Sequence, residues 1–296
     1  MIALPAVDIR RAVRKGLEED LGQGDITTTA LFPEPTPARA KIIAQQPLVV
    51  AGMAAAIQTF IAVDASLKLT PSRRDGSHAK AGDVLLQIEG DGRSILMAER
   101  VALNFLQHLS GISTLTSHFC HAVHGYPVHI MDTRKTLPGW RSLQKWAVSL
   151  GGGTNHRMSL GDGILIKDNH LALIKNKKPA VLTACRMVQT ITSKDKPVIV
   201  EVESLSEVHD ALHGKADIIL LDNMTPARVK QAVKLIGSRA LVEVSGGITL
   251  KNVRAMAAAG PDRISIGALT HSAPAATINL VLEPLRRRLR GPSSFG

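Results

Sequence analysis

Apolar positions follow two rhythms along the 296-residue chain. Up to about residue 112 the rhythm is mixed. Residues 6–21 set Val13, Leu17 and Leu21 at helical spacing, and residues 94–109 carry Leu96, Val101, Leu103, Phe105 and Leu106, which predicts a second helix. Strand-like runs fall between them at 38–44, 67–70 and 84–89, punctuated by the turn-favouring pairs Asp75-Gly76 and Asp91-Gly92. From about residue 126, short apolar runs at 128–131, 164–166, 198–202, 217–221, 241–244 and 263–266 alternate with helical segments. That is the sequence form of repeated βα units feeding a parallel sheet. Ser204 with Glu207 has the form of a capping box, and Thr225-Pro226 that of an N-cap followed by proline at the first helical position. The later strands recur roughly every 22 residues, short for an open doubly wound sheet and natural for a barrel. The expected class is α/β: an N-terminal α+β domain over 1–112, an α/β barrel domain over 113–273, and a C-terminal helix at 274–290 packing back on the first domain.

Each apolar run of the second half ends on distinctive residues. In order these are Asp132-Thr133-Arg134-Lys135, Lys167-Asp168-Asn169-His170, Glu201-Val202-Glu203, Asp222-Asn223, Ser245-Gly246-Gly247 and Gly267-Ala268. In a parallel barrel these positions converge on the C-terminal face, where catalytic groups sit. Loops are polar in general, but that does not account for charged residues and paired glycines in place of Ser, Pro and Thr. Ser245-Gly246-Gly247 followed by Gly267 has the form of a phosphate site after the last two strands, where glycine lets an anion approach backbone N–H groups. Glu201 and Asp222 end adjacent strands. They suit ribose hydroxyls or a Mg²⁺ ion shared with a phosphate, and equally suit compensation of nearby Lys and Arg. Arg134, Lys135, Arg157 and Lys167 lie at strand ends or in the Gly-rich loop, where a carboxylate or phosphate can be met. Arg141 and Lys145, four apart on an expected helix at 138–150, read as a solvated face. Gly151-Gly152-Gly153 lacks the Gly-Lys-Ser/Thr that completes a Walker loop.

Charge sharpens this picture. Lys and Arg number 36 against 25 Asp and Glu, a net charge of +11 that points to an anionic partner. One Tyr, five Phe and two Trp are too few for a base-stacking platform, and no nucleic-acid-binding motif is present, so a small molecule is expected rather than nucleic acid. The Arg286-Arg287-Arg288 run with Arg290 is expected at a helix C-terminus, where cations are favourable in any case. His118, His121 and His124 recur near Cys120 without an accompanying carboxylate and read as packing or surface residues. Cys120 and Cys185 stand alone, which excludes a disulfide framework. The first residues run straight into charge, unlike a signal peptide. The longest apolar run, Leu48 to Val63, is interrupted by Gln58 and Thr59 and is too short to span a bilayer. A soluble, cytoplasmic protein with no membrane partner is expected.

Several segments carry a family resemblance: EDLGQGDITT at 19–28, ERVALNFLQHLSGIST at 99–114, DTRKTLPGWR at 132–141 and GGGTNHR through LIKDNH across 151–170. VEVES at 200–204, LLDNM at 220–224, VSGGI at 244–248 and ISIGALTHS at 264–272 complete them. In these the chain closely resembles the quinolinate phosphoribosyltransferase family (nicotinate-nucleotide pyrophosphorylase, carboxylating) of de novo NAD synthesis. The resemblance implies an incomplete (β/α) barrel beside the N-terminal α+β domain, assembled as a homodimer. It implies that quinolinate and phosphoribosyl pyrophosphate give nicotinate mononucleotide, pyrophosphate and CO₂, with Mg²⁺. Arg134, His156, Arg157 and Lys167 would hold quinolinate, with Arg100 reaching in from the partner subunit, and Thr133 is a further substrate-binding candidate. Lys135, Glu201 and Asp222 would hold the ribose, the pyrophosphate and the metal, and Ser245, Gly246, Gly247, Gly267 and His271 would cradle phosphate. Lys135, Lys167, Glu201 and Asp222 are the catalytic candidates, in a pocket expected to be strongly cationic. Met158-Ser159, Gly161 and Trp140 depart from the family pattern and put the packing around Arg157 in question. Competing readings are a paralogue with another base substrate, a Schiff-base aldolase using Lys167, and a basic nucleic-acid-binding protein.

Overall fold

The computed structural model describes residues 6–174, 179–190 and 196–285. These divide into two units, the described residues up to 111 with those from 274 onward, and the described residues from 112 to 273.

In the first unit, α1 (Ala6–Leu21) turns Val13 and Leu17 inward. Asp25 caps α2 (Ile26–Leu31) by accepting from the Thr28 amide at 2.9 Å. There follow β1 (Pro37–Ala44), β2 (Leu48–Val49), α3 (Met53–Val63), β3 (Lys68–Pro71), β4 (His78–Ala79) and β5 (Val84–Asp91). β1 alternates, with Ala38, Ala40, Ile42 and Ala44 buried and the residues between them open, so one face of its antiparallel sheet is covered. That face shares a core with Ala56 and Phe60 of α3 and Ile95, Ala98 and Leu106 of α4 (Gly92–Ala122).

Two expectations need correction here. Asp91-Gly92, expected as a turn, is the direct junction of β5 with α4, and Asp91 accepts from the amides of Thr36 and Arg93, both at 3.1 Å. The helix expected to stop at 109 runs on to Ala122. Its small residues serve close packing rather than termination: Ser110 Oγ accepts from the Ala51 amide at 3.0 Å, and a Cβ on Gly111 would stand 2.1 Å from the Pro274 carbonyl oxygen.

The second unit alternates strand and helix: β6 (His129–Met131), α5 (Arg141–Leu150), β7 (Ile164–Ile166), α6 (Asp168–Leu173), α7 (Ala180–Gln189), β8 (Val198–Val202) and α8 (Leu205–His213). It continues with β9 (Ile218–Asp222), α9 (Pro226–Ile236), β10 (Leu241–Ser245), α10 (Val253–Ala258), β11 (Arg263–Ser265) and α11 (Ala268–His271). The capping box of α8 and the Thr225 cap of α9 form as the sequence predicts. The six strands pair in the order β6-β11-β10-β9-β8-β7, parallel throughout, with β6 and β7 as edges: an incomplete (β/α) barrel. Strand side chains alternate between faces. Ile199, Ile218 and Leu220 with Leu165 form a small core on one face. In the same period Glu201, Asp222 and Ser245 follow at the strands' C-terminal ends.

The segment expected as a helix over 274–290 is instead β12 (Ile278–Pro284), which pairs antiparallel with β1 from Ala44↔Ile278 to Ala38↔Pro284. Its apolar residues alternate, with Ile278 buried and Leu280 and Leu282 packed on the first unit's core, which is a strand's period and not a helix's. The arginine run 286–290 lies outside the described residues.

Candidate active site

A cavity of about 720 Å³ opens at the C-terminal ends of the parallel strands. Thr133, Arg134, Lys135, His156, Arg157, Lys167, Glu201, Asp222, Ser245, Gly246, Gly247, Gly267 and His271 all line it. Arg100 does not; it is an exposed residue of α4 in the other unit.

One wall is built on a buried carboxylate. Asp132, at the end of β6, accepts from Lys145 Nζ, from Asn155 Nδ2 at 2.6 Å and from the His156 amide at 2.8 Å. Lys145 also donates to the His156 carbonyl at 2.8 Å. Asp132 and Lys145 thereby tie the strand that leads to Thr133 and Arg134 to the segment carrying His156 and Arg157. This corrects the expectation of a solvated face: the Lys145 side chain is 1% exposed. Arg141 is half-buried and donates to Thr136 Oγ1 and the Met158 carbonyl, both at 3.0 Å.

The Arg157 guanidinium donates to the Gly163 carbonyl at 2.8 Å. Burial lowers its pKa, and the neighbouring charge of Arg134 adds to that effect. Arg134 Nε is buried with no hydrogen-bond partner among the described residues. Two guanidinium groups held near each other, one with an unmet donor, form a site for an anion with more than one oxygen. The departures near Arg157 are absorbed locally. The Met158 and Ser159 amides donate to Asp162 at 2.9 and 2.8 Å, and a Cβ on Gly161 would meet nothing closer than 3.7 Å. Trp140 occupies the N-cap position of α5.

On the facing wall, Lys167 Nζ donates to Glu201 Oε2 at 2.7 Å. The lysine side chain is 45% exposed, an ion pair in partly open water rather than the desolvated apolar setting of a Schiff-base lysine. Asp222 accepts from Ser245 Oγ and from Asn223 Nδ2, both at 2.7 Å. Gly246 and Gly247 adopt φ of 89° and 62°, and a Cβ on Gly246 would collide with Asn223 Oδ1 at 2.2 Å, so only glycine fits that turn. A Cβ on Gly267 would lie 3.1 Å from Lys135 Cδ and 3.0 Å from His271 Nε2; its absence leaves those side chains their room. Thr270 Oγ1 holds the Lys135 carbonyl at 2.7 Å.

Sequence reasoning missed Glu243 and Ser265 on this lining, and placed Asn223 at a strand end without giving it a role. Glu243 interrupts the apolar run of β10, and attention to strand ends alone passed over it. A carboxylate at the inward period of a barrel strand was the available signal. With Glu243 included, four cations (Arg134, Lys135, Arg157, Lys167) stand against three carboxylates (Glu201, Asp222, Glu243), so the lining is nearly balanced in charge rather than strongly cationic.

Among the described residues no three His, Cys, Asp or Glu side chains could hold a metal ion, the 118–124 histidines included. Glu201 and Asp222 offer two hard oxygen donors on one cavity. That set fits Mg²⁺ where substrate phosphates supply further ligands.

An incomplete parallel barrel with paired guanidinium groups, two acidic strand ends and a glycine turn on one cavity defines an α/β enzyme acting on anionic, phosphate-bearing substrates. The family model for the quinolinate phosphoribosyl transferase C-terminal domain matches residues 112–281, and that for the N-terminal domain matches 25–110. The chain belongs to the quinolinate phosphoribosyltransferase family. It is 40% identical over 280 residues to the nicotinate-nucleotide pyrophosphorylase [carboxylating] of Mycobacterium leprae, covering 92% of this chain and 96% of the relative. With a probable nicotinate-nucleotide pyrophosphorylase [carboxylating] of Methanocaldococcus jannaschii it shares 39% identity over 279 residues, 91% of this chain and 95% of the relative. The solved nicotinate-nucleotide pyrophosphorylase of Francisella tularensis superposes with a TM-score of 0.89 at 35% identity, covering 95% and 98% of the two chains.

Proposed function

We infer that the chain transfers phosphoribosyl from phosphoribosyl pyrophosphate to quinolinate with decarboxylation, giving nicotinate mononucleotide, pyrophosphate and CO₂ in de novo NAD biosynthesis. The observation that carries this reading is the joint placement of the Arg134–Arg157 pair and the Ser245–Gly247 turn on one cavity. The first suits a dicarboxylate, the second a phosphate.

In this reading Arg134 and Arg157, with Thr133, His156 and Lys167 beside them, hold the two carboxylates of the pyridine and aim its ring nitrogen at the ribose C1. Ser245, Gly246, Gly247, Gly267 and His271 hold the 5′-phosphate. Lys135 neutralises the pyrophosphate as it leaves. The C1–O bond breaks as the N–C1 bond forms, and positive charge grows on the ribose, where Glu201 and Asp222 stabilise it. The glycosylated ring is a pyridinium, an electron sink for the pair released when the C2 carboxylate departs as CO₂, and C2 then takes a proton. Positioning and electrostatics carry this chemistry without a dedicated base. Glu201 and Asp222 would also hold Mg²⁺, whose charge helps neutralise pyrophosphate oxygens.

The enzyme works as a homodimer in the cytoplasm, with Arg100 entering the partner's site. The two free cysteines suit a reducing compartment. The deciding assay supplies purified protein with quinolinate, phosphoribosyl pyrophosphate and Mg²⁺ and follows nicotinate mononucleotide. Product from nicotinate but none from quinolinate would sink the assignment in favour of a paralogue with another base.

A further inference from the structure

The inward face of β10 holds a carboxylate that this scheme leaves without a task. Glu243 is 0% exposed and lines the cavity. A buried carboxylate is costly unless paired and hydrogen-bonded. The Ser265 hydroxyl donates to its Oε1, and the Nε2 of His156, a ring only 10% exposed, lies 3.3 Å from the same oxygen. Its second oxygen has no hydrogen-bond partner among the described residues. The other ring nitrogen of His156 is also committed, because the Arg157 amide donates to Nδ1 at 2.9 Å. A donor pointing at Nδ1 requires a lone pair there. The ring proton therefore sits on Nε2, facing Glu243.

We propose that Glu243 is a positioning residue that selects the Nε2–H tautomer of His156 and, through that ring, fixes the backbone of Arg157. The inference deepens the reading of Arg157 as a ligand of the dicarboxylate and rests on it. Nδ1 of His156 accepts from the Arg157 amide and Nε2 faces Glu243, so the protein sets the orientation of the ring from both sides. Arg157 is then anchored twice, its amide on His156 and its guanidinium on the Gly163 carbonyl. With Glu243 removed, the Nδ1–H tautomer competes. In that tautomer two donors face each other at the Arg157 amide, and the contact is lost. The guanidinium then loses its fixed height above the cavity floor, where a misplacement of about 1 Å is already expensive for a positioned reactant.

The test combines a tautomer measurement with a KM comparison. Long-range ¹H–¹⁵N correlation on histidine-labelled enzyme without substrates reads the ring directly, with the His156 signals assigned by their loss in His156→Gln. The wild type is expected to show Nε2–H. Glu243→Ala is expected to populate Nδ1–H and to raise KM for quinolinate on the order of tenfold, while KM for phosphoribosyl pyrophosphate moves by less than about twofold. Glu243→Gln, whose amide oxygen still accepts from Nε2–H, should recover the tautomer and most of the KM. A wild-type ring protonated on Nδ1, an unchanged tautomer in Glu243→Ala, or equal KM increases for both substrates would overturn the proposal. If Glu243→Ala does not fold, the wild-type and Glu243→Gln spectra decide, since Nδ1–H in either overturns it. An Nε2–H ring in an enzyme that does not turn over quinolinate leaves the role of Glu243 standing and sinks the substrate reading instead.

Discussion

Asp132 and Lys145 are the most deeply buried ion pair among the described residues, and both serve the loops that carry Arg134 and Arg157, the proposed ligands of the dicarboxylate. Burial pushes the Asp132 carboxyl up and the Lys145 ammonium down, while their mutual attraction opposes both shifts. Breaking such a pair by removing one partner leaves an uncompensated charge. Lys145→Met is therefore expected to destabilise the fold by about 3–5 kcal/mol in urea unfolding. Adding Asp132→Leu should recover part of that loss, and a single variant as stable as wild type would show the pair to be dispensable. Lys167 presents the opposite case, an ion pair on the open side of the cavity. Lys167→Ala should leave the circular dichroism spectrum unchanged and lower kcat/KM by on the order of 100-fold, because it removes a cation from the carboxylate site and frees Glu201 from its partner. Unchanged turnover would take Lys167 out of the site. These two lysines differ little as letters in a sequence. Lys145 sits four residues from Arg141 on a helix, a spacing that describes a solvated face equally well, and only the fold shows Asp132 arriving beneath it. Lys167 was legible because it ends a strand, where barrel geometry dictates direction.

Among elements, the segment from Arg157 to Gly163 is short, polar and shaped by one side chain. Asp162 accepts from the Met158 and Ser159 amides, and the hydrogen bonds from the Ser159 hydroxyl and amide hold its carboxyl below the ordinary value of 3.8. A lowered folded pKa means that the support is complete above 3.8 and drains away as pH falls through the lower folded value. The Met158 and Ser159 amide shifts should accordingly titrate with a midpoint below 3.8, and Asp162→Asn should abolish that titration. The same variant loosens Gly163, the acceptor for Arg157, so KM for quinolinate should rise several-fold, roughly as for other lost positioning contacts. A midpoint at or above the ordinary value would show that Asp162 does not hold the loop. Element boundaries show the same division between local and non-local causes. The six parallel strands, the α8 capping box and the α9 cap were readable because period and capping chemistry are local. The alternation of Ile278, Leu280 and Leu282 in β12 was a local signal too, which the helix reading passed over, whereas the extension of α4 was not readable because it is decided by a distant partner, Pro274 against Gly111. Glu243 escaped for a related reason. Its neighbours in sequence are apolar, and its importance comes from Ser265 and His156 on other elements.

At the scale of the molecule, the net charge of +11 is not concentrated where two polyanions would meet. Four cations and three carboxylates line the cavity, so one chain's site is close to neutral before substrates arrive. A pyridine dicarboxylate and a polyphosphate ester together carry far more negative charge than such a lining can offset, and in a partly desolvated cavity the shortfall opposes binding strongly. In the proposed reaction Mg²⁺ held by Glu201 and Asp222 would answer it on the pyrophosphate side. On the dicarboxylate side Arg100, exposed on α4, would add a further cation if a second subunit delivers it. The consequence can be read from mixed subunits. Arg100→Ala and Arg134→Ala should each be nearly inactive alone. If Arg100 acts across a dimer, random mixing places both lesions in one site of each heterodimer and neither in the other. Half of the dimers are then mixed with one working site each, so about a quarter of wild-type activity should return. If Arg100 serves its own subunit, every site in the mixture keeps a lesion and no activity returns.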